Sequence, residues 1–258
     1  MIVVLSGEGQ TDLGCCTFGH GECRIPEFEY GPMTLLADSV IAEDMGYSVL
    51  DTTPQNYIYI SEKRLEELEN ARKQNQRKVF LPGKKSYPET GYFHVNAWML
   101  GEAAQQISHV EGDKDVIAIL FRDTDGTRST ARGLWDKKWA SMISGFDRSG
   151  LNIRGVPMLP KPKSEAWLLC AMKEQPYQHC RQLEELSGND DSSHPAKQLL
   201  QEALGAVPSQ RNLVDWIKEH GFDWSRASSQ MFSLSEFVNR LRDALDIVLH
   251  PSKEESTL

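Results

Sequence analysis

The order of hydrophobic and polar positions divides the chain into short apolar runs separated by amphipathic segments. Residues 1–5 form an apolar run shortly before Gly7, which is the pattern of a strand buried on both faces of a sheet. Residues 115–121 repeat this pattern, and a shorter apolar run over 153–159 indicates a third strand. The intervals between these runs are long enough to hold a helix, as parallel strands require.

The intervening segments carry apolar residues three and four positions apart, which places them on one face of a helix. The predicted helices cover residues 33–44, 60–78 and 94–107 and a segment around Trp135 and Trp139; the stretch SEAWLLCAM follows the third strand. Strands that alternate with helices predict an α/β fold with a Rossmann-like, mostly parallel sheet flanked by helices.

The pattern changes towards the C-terminus, where helical spacing continues without strand-like runs. Gly, Pro and Ser separate three further helical patterns: 197–205, 211–221 and 234–249. We therefore expect an α/β domain over residues 1–175 and a helical extension over 176–250 that packs on it. The polar residues 251–258 are expected to form a disordered tail.

Composition and charge narrow the class of protein. The chain has 258 residues, of which 40% are hydrophobic and 25% charged, as in an ordinary globular protein. No apolar stretch approaches the roughly 20 residues that span a bilayer, so we expect no membrane association and a cytoplasmic location. A net charge of -9 argues against a protein that coats nucleic acid, but it does not exclude a nuclease.

The cysteines show no regular framework, and their number is odd, which predicts reduced thiols. They are Cys15, Cys16, Cys23, Cys170 and Cys180. The first three could bind zinc together with His20, because three thiols and an imidazole supply a tetrahedral ligand set. We disfavour this zinc site because its spacing matches no standard finger and adjacent cysteines point in diverging directions.

Acidic residues follow each predicted strand. Glu8 and Asp12 come after the first strand, Asp123 and Asp125 after the second, and Glu165 after the third. In open α/β sheets the functional crevice lies beyond the carboxyl ends of the strands, so these side chains can converge there. Carboxylates that converge raise one another's pKa, and a bound Mg²⁺ or Mn²⁺ relieves that cost.

Each motif also has a purely structural interpretation. Asp123-Thr-Asp-Gly is a common turn sequence, and Gly7-Glu-Gly-Gln-Thr-Asp is consistent with the capped start of a helix. A phosphate-binding loop is excluded because no Lys follows Gly14 as a Walker motif requires. A dinucleotide fingerprint is excluded because Asp12 stands where the third glycine belongs.

The first two acidic motifs together resemble the Toprim domain of topoisomerases, primases and OLD-type nucleases. The segment from Pro160 to Leu169 adds a similarity to small bacterial Toprim-like proteins of uncharacterised function. The resemblance covers roughly residues 1–170 and implies a Toprim-like α/β fold. The interval between Gly14 and the first predicted helix is longer than the usual pattern and resembles an insertion.

The resemblance also implies roles for individual residues. In Toprim proteins the first-strand glutamate acts in acid/base or metal chemistry and the Asp-x-Asp pair binds Mg²⁺, which corresponds here to Glu8, Asp123 and Asp125. Asp12 occupies the place of a further metal-binding acid in OLD-type nucleases. Glu165 is expected to be an outer metal ligand or a general base, and Lys163 to contact substrate. Further basic candidates for phosphate are Arg122, Arg128, Arg132 and Lys161.

The function implied is a metal-dependent nuclease that hydrolyses phosphodiester bonds in DNA or RNA. By analogy it is an effector of bacterial anti-phage defence that works beside a separate ATPase subunit, since the chain has no Walker motif. The alternative is a non-catalytic Toprim-like scaffold or regulatory subunit that binds a partner ATPase. A third candidate, hydrolysis of a small phosphorylated substrate, would use the same acids. The sequence leaves the oligomeric state open.

Overall fold

A computed structural model of the chain describes most of its residues. The described ranges are 1–9, 11–19, 21–75, 88–112, 114–124, 134–189, 191–192 and 195–250. Asp125, His20, Arg128, Arg132 and the tail 251–258, all named above, lie outside these ranges. The predictions made for them stay predictions.

Seven strands are present in the described residues, five of them in one central sheet. The strands are β1 (Ile2–Gly7), β2 (Gly14–Cys16), β3 (Glu22–Arg24), β4 (Phe28–Tyr30), β5 (Tyr57–Ile60), β6 (Val116–Phe121) and β7 (Gly155–Met158). The central sheet has the order β3-β5-β1-β6-β7, and only β3 runs antiparallel to its neighbour. Strands β2 and β4 form a separate antiparallel pair.

Helices cover both faces of the central sheet. They are α1 (Pro32–Met45), α2 (Val49–Thr52), α3 (Glu62–Asn75), α4 (Pro88–Val110), α5 (Leu134–Ser149), α6 (Ser164–Met172), α7 (Ala196–Leu204), α8 (Gln210–His220), α9 (Trp224–Ser228) and α10 (Phe232–Leu249). Short 3₁₀ helices occur at Pro54–Asn56, Asn152–Arg154 and Cys180–Glu185.

The alternation of side chains along the strands divides the core into two layers. Val3 and Leu5 of β1 face a layer that includes residues of α1, α6 and α10, whereas Ile2 and Val4 face a layer built by α4 and α5. All of these β1 side chains are fully buried. Continuous apolar runs form the central strands because both faces of the sheet are covered.

The register of the central strands sets the position of the candidate site. β1 pairs in parallel with β6 from Ile2 opposite Val116 to Gly7 opposite Phe121. Both strands therefore end at the same level, and the residues that follow them leave the sheet side by side. β7 pairs on the other side of β6, with Met158 opposite Phe121, so its exit loop lies at the same edge.

The prediction of an α/β fold with a mostly parallel sheet flanked by helices is confirmed, and the arrangement is consistent with a Rossmann-like fold. The sequence analysis missed β5, because four residues are too few to show a period. The strand expected over 153–159 is shorter, since Asn152–Arg154 forms a 3₁₀ turn before it. The long interval after Gly14 contains β2, β3 and β4.

The prediction of reduced thiols is wrong for this structure. Cys16 forms a disulfide with Cys23, and Cys170 forms one with Cys180, which leaves Cys15 as the free thiol. Cys16 and Cys23 meet because β3, which carries Cys23, lies next to β2, which carries Cys16. Two of the thiolate ligands proposed for zinc, Cys16 and Cys23, are bonded to each other in this structure, and the imidazole ligand proposed with them, His20, lies outside the described residues.

The C-terminal helices share the core of the sheet. Phe237 and Leu241 of α10 are buried in the same layer as Val156 of β7 and Ile41 of α1. The boundary proposed at residue 175 stays a prediction. None of the helices in the described ranges has the length and apolar character needed to cross a bilayer.

Candidate functional site

The exits of β1 and β6 are joined by a direct hydrogen bond. The backbone N–H of Asp123 donates to Oε1 of Glu8 at 2.5 Å. Gly7 allows this approach, because a Cβ at that position would lie 2.8 Å from Leu13 Cδ1 and 3.2 Å from Phe121 Cβ. Glu8, which follows β1, is therefore fixed against Asp123, which follows β6.

Asp12 is held in place by the start of α1. The N–H of Met33 donates to the carbonyl of Asp12 at 3.0 Å, and the hydroxyl of Thr34 donates to the carbonyl of Leu13 at 2.7 Å. Gly31 precedes the helix, and a Cβ there would meet the Asp12 carbonyl oxygen at 2.2 Å. A side chain at Gly31 would push the acidic loop away from α1.

Thr124 ties the exit loop of β6 to that of β7. Its N–H donates to the carbonyl of Pro162 at 3.1 Å, and its hydroxyl lies 2.9 Å from the carbonyls of both Pro160 and Pro162. Nζ of Lys138 in α5 donates to the Thr124 carbonyl at 2.7 Å. These contacts bring the start of α6, which carries Glu165, towards Asp123.

Ser164 connects the acids to one another. Its N–H donates to Oδ1 of Asp123 at 3.0 Å, and its hydroxyl donates to Oδ1 of Asp12. Ser164 is itself buried, whereas the four acids are partly buried. Ser164 was not predicted as a site residue, and its position directly before Glu165 is the one local feature that points to it.

The charges of the neighbouring acids affect the pKa values of Asp12 and Asp123. The pKa of Asp12 is raised to about 6, mainly by burial; the nearby charges of Glu165 and Glu8 add to the rise, and the hydrogen bond from Ser164 opposes it. Burial likewise raises the pKa of Asp123 well above its ordinary value, with contributions from Asp12, Glu165 and Glu8. Strongly raised carboxyl pKa values in a cleft are typical of functional sites.

Arg122 differs from its expected role as a surface contact for phosphate. Its side chain is fully buried, and its Nη1 donates to the Phe121 carbonyl at 3.2 Å. Its Nη2 lies 3.6 Å from Oε1 of Glu62, and neither Nη2 nor Nε has a hydrogen-bond partner among the residues that the structure describes. Burial lowers the pKa of Arg122, while Glu62 and Glu8 counteract this. Arg122 is thus a buried positive charge beside the acids.

The structure brings together Glu8, Asp12, Asp123 and Glu165 at one edge of the sheet. Asp125 lies outside the described residues. Lys163 is the N-cap residue of α6, next to the acids in the chain. Lys161 instead reaches away towards Glu185, with Nζ 3.7 Å from Oε1.

The donor chemistry of this site fits Mg²⁺ or Mn²⁺, since every candidate ligand is a carboxylate or hydroxyl oxygen. No three His, Cys, Asp or Glu side chains within the described ranges are arranged to hold a metal ion.

Comparisons with known proteins give no independent identification. No protein-family model, no curated protein and no solved structure matches the chain. The Toprim resemblance therefore depends on the motifs alone and stays a prediction.

Proposed function

We propose that this protein is a metal-dependent nuclease that hydrolyses phosphodiester bonds in DNA or RNA. The observation that carries the proposal is the convergence of Glu8, Asp12, Asp123 and Glu165 at the carboxyl edge of a parallel sheet. Such crowding of like charges opposes ionisation, and a divalent cation removes that opposition. The raised pKa values of Asp12 and Asp123 support this interpretation.

Glu8, Asp12 and Asp123 would hold the cation, with Asp125 as a further ligand expected from the sequence. A bound divalent ion would lower the pKa of a water molecule and stabilise negative charge on the phosphate. Ser164 orients Asp12 and Asp123 through its hydroxyl and its N–H. Asp123 in turn orients Glu8 through its own N–H.

Glu165 is the candidate general base, because it lies in the first turn of α6 near Asp12 and Asp123 and accepts no backbone hydrogen bond among the described residues. Lys163, two residues earlier, is the candidate phosphate contact. Arg122, buried near Glu8, offsets part of the negative charge of the site. A role in anti-phage defence beside a partner ATPase is the biological context we propose by analogy.

The position of Glu165 favours an enzyme over a scaffold. A non-catalytic scaffold would leave Glu165 free to face a core or an interface. Instead Glu165 is partly buried, and its charge contributes to the raised pKa of both Asp12 and Asp123. Such placement increases electrostatic repulsion, which is a cost that a purely structural role does not require.

A cleavage assay tests the proposal. Purified protein is incubated with plasmid DNA, single-stranded DNA or tRNA in Mg²⁺, in Mn²⁺ and in EDTA. We expect cleavage of at least one substrate that requires the metal and falls by about 10²-fold or more in Asp123→Asn. Asp215→Asn, on the exposed side of α8, is the matched control and should cleave at the wild-type rate.

Two results would contradict the nuclease proposal. One is the absence of metal-dependent cleavage on all three substrates. The other is Asp123→Asn protein that cleaves as fast as the wild type. Release of inorganic phosphate from small phosphate esters, without cleavage of nucleic acid, would instead support the small-substrate alternative.

A further inference from the structure

A cavity lies at the start of α10, between that helix and the 3₁₀ helix Cys180–Glu185. It has a volume of about 710 Å³, which is within the range of small-molecule sites. Its lining includes His179, Arg181, Glu184, Ser229, Phe232 and Ser235. None of these residues belongs to the acidic site described above.

The cavity and the acidic site share one edge of the sheet. The ring of Phe232 packs edge-on against Trp135, with ring centroids 4.9 Å apart. Nε1 of Trp135 donates to the carbonyl of Leu159 at 2.8 Å, directly after β7. Nζ of Lys161 also lies 3.7 Å from Oε1 of Glu185, the residue after the lining residue Glu184. The loop that leads from β7 to Glu165 is therefore connected to the cavity through Trp135 and Phe232 and through this ion pair.

Phe232 provides an exposed aromatic surface. Its side chain is 52% exposed, although it is the first residue of a helix whose other large apolar side chains are mostly buried. It ends a row of aromatic rings, because Trp135 also stacks on Trp139 with centroids 5.0 Å apart. An aromatic ring held rigidly from one side can stack a nucleobase on its open side.

The acidic and the basic side chain of the cavity, Glu184 and Arg181, have different environments. The carboxylate of Glu184 accepts hydrogen bonds from the N–H groups of Phe232 and Ser233 at 3.0 and 2.7 Å, which satisfies the start of α10. Arg181 is exposed, and no carboxylate of the described residues lies within ion-pair distance of it. A phosphate would therefore bind at Arg181, while the base would lie over Phe232.

We propose that this cavity binds one nucleotide of a single-stranded nucleic acid, with its base stacked on Phe232 and its phosphate at Arg181. The proposal rests on the proposed function, because it assigns the neighbouring part of the substrate to a second site at the same edge. It also explains how an acidic protein can retain nucleic acid, since stacking does not depend on net charge.

Binding of fluorescein-labelled oligo-dT and oligo-U, measured by anisotropy in EDTA, tests this site without cleavage. Phe232→Ala should weaken binding about tenfold, whereas Phe232→Tyr, which keeps the ring, should bind within about twofold of wild type. Phe18→Ala removes another exposed ring and is the matched control. Arg181→Ala should weaken binding and reduce the salt dependence by about one phosphate contact, unlike Arg211→Ala on α8.

The proposal is overturned if wild-type protein binds neither oligonucleotide, or if Phe232→Ala binds as tightly as the wild type. Tighter binding of oligo-U would identify RNA as the preferred ligand, and tighter binding of oligo-dT would identify DNA. Failure of this binding test can be distinguished from failure of the nuclease proposal in the cleavage assay. Binding that depends on Phe232 without metal-dependent cleavage would support the cavity and contradict the nuclease, and cleavage by a Phe232→Ala protein with unchanged binding would do the reverse.

Discussion

Asp12 shows how single residues determine the character of the candidate site. Its backbone is fixed by α1 and its carboxylate by Ser164, so it remains near Glu8 and Glu165 although their charges oppose its own. The sequence analysis left open whether Asp12 only starts the next helix. The structure places it 20 residues before α1 (Pro32–Met45), against the first turn of that helix, and within the group of acids.

The raised pKa of Asp12 predicts a pH-dependent stability of the metal-free protein. Because the folded pKa of about 6 exceeds the ordinary value of 3.8, the protonated carboxyl favours folding. This contribution is fully present below pH 3.8 and is lost as the pH rises through 6. Asp12→Asn should therefore raise the free energy of unfolding above pH 6 by about 1 to 3 kcal/mol, with little change near pH 4.

Urea unfolding in EDTA at pH 4 to 8 measures this difference. Asp215→Asn on α8 is the control, since Asp215 lies far from the acids in an exposed i,i+4 pair with Arg211. Identical pH profiles of the wild type and Asp12→Asn would show that burial and the neighbouring charges do not raise the pKa of the Asp12 carboxyl.

At the scale of elements, the site depends on the junction between the exit of β1 and the start of α1. Gly31→Ala would place a Cβ 2.2 Å from the Asp12 carbonyl oxygen and 2.7 Å from that of Thr11. Since both contacts are with backbone, relief requires movement of the loop. We expect a loss of about 2 to 3 kcal/mol in the free energy of unfolding and weaker binding of Mn²⁺.

Gly46→Ala, after α1, is the matched control for this substitution. Gly46 has a positive φ of 79° but open space around its Cβ position. Its replacement should cost about 1 kcal/mol from backbone strain and leave Mn²⁺ binding unchanged. Equal Mn²⁺ affinity for Gly31→Ala and the wild type would contradict the role given to the β1–α1 junction.

Sequence patterns predicted the elements that are long and buried. The apolar runs of β1 and β6 and the periodicity of α1 and α10 were sufficient, because burial on one or both faces constrains every residue in them. Strand β5 was missed because its four residues show no period. Ser164 was missed because its role depends on two loops that meet only in three dimensions.

At the scale of the whole molecule, disulfides connect segments that carry the acids to the rest of the fold. Cys16–Cys23 joins β2 to β3 after Asp12, and Cys170–Cys180 joins α6 to the next 3₁₀ helix. Their pairing could not be predicted from spacing, since it depends on which strands and helices become neighbours.

Thiol counting tests this covalent arrangement. Alkylation of the denatured, unreduced protein should modify Cys15 alone, and reduction beforehand should expose all five cysteines. Reduction should also lower the free energy of unfolding by about 2 to 4 kcal/mol, because each disulfide restricts the unfolded chain. Modification of all five cysteines without prior reduction would contradict the two disulfides and support the reduced thiols predicted from the sequence.

Binding of a divalent cation by the acids at the carboxyl edge of the sheet can be measured without any nucleic acid. Metal-free protein is titrated with Mn²⁺, and binding is followed by the loss of the free-ion electron paramagnetic resonance signal. We expect saturable binding by the wild type and by Asp215→Asn, and at least about tenfold weaker binding by Asp123→Asn. This expectation would be contradicted by wild-type protein that leaves the free Mn²⁺ signal unchanged, or by Asp123→Asn protein that binds Mn²⁺ as tightly as the wild type.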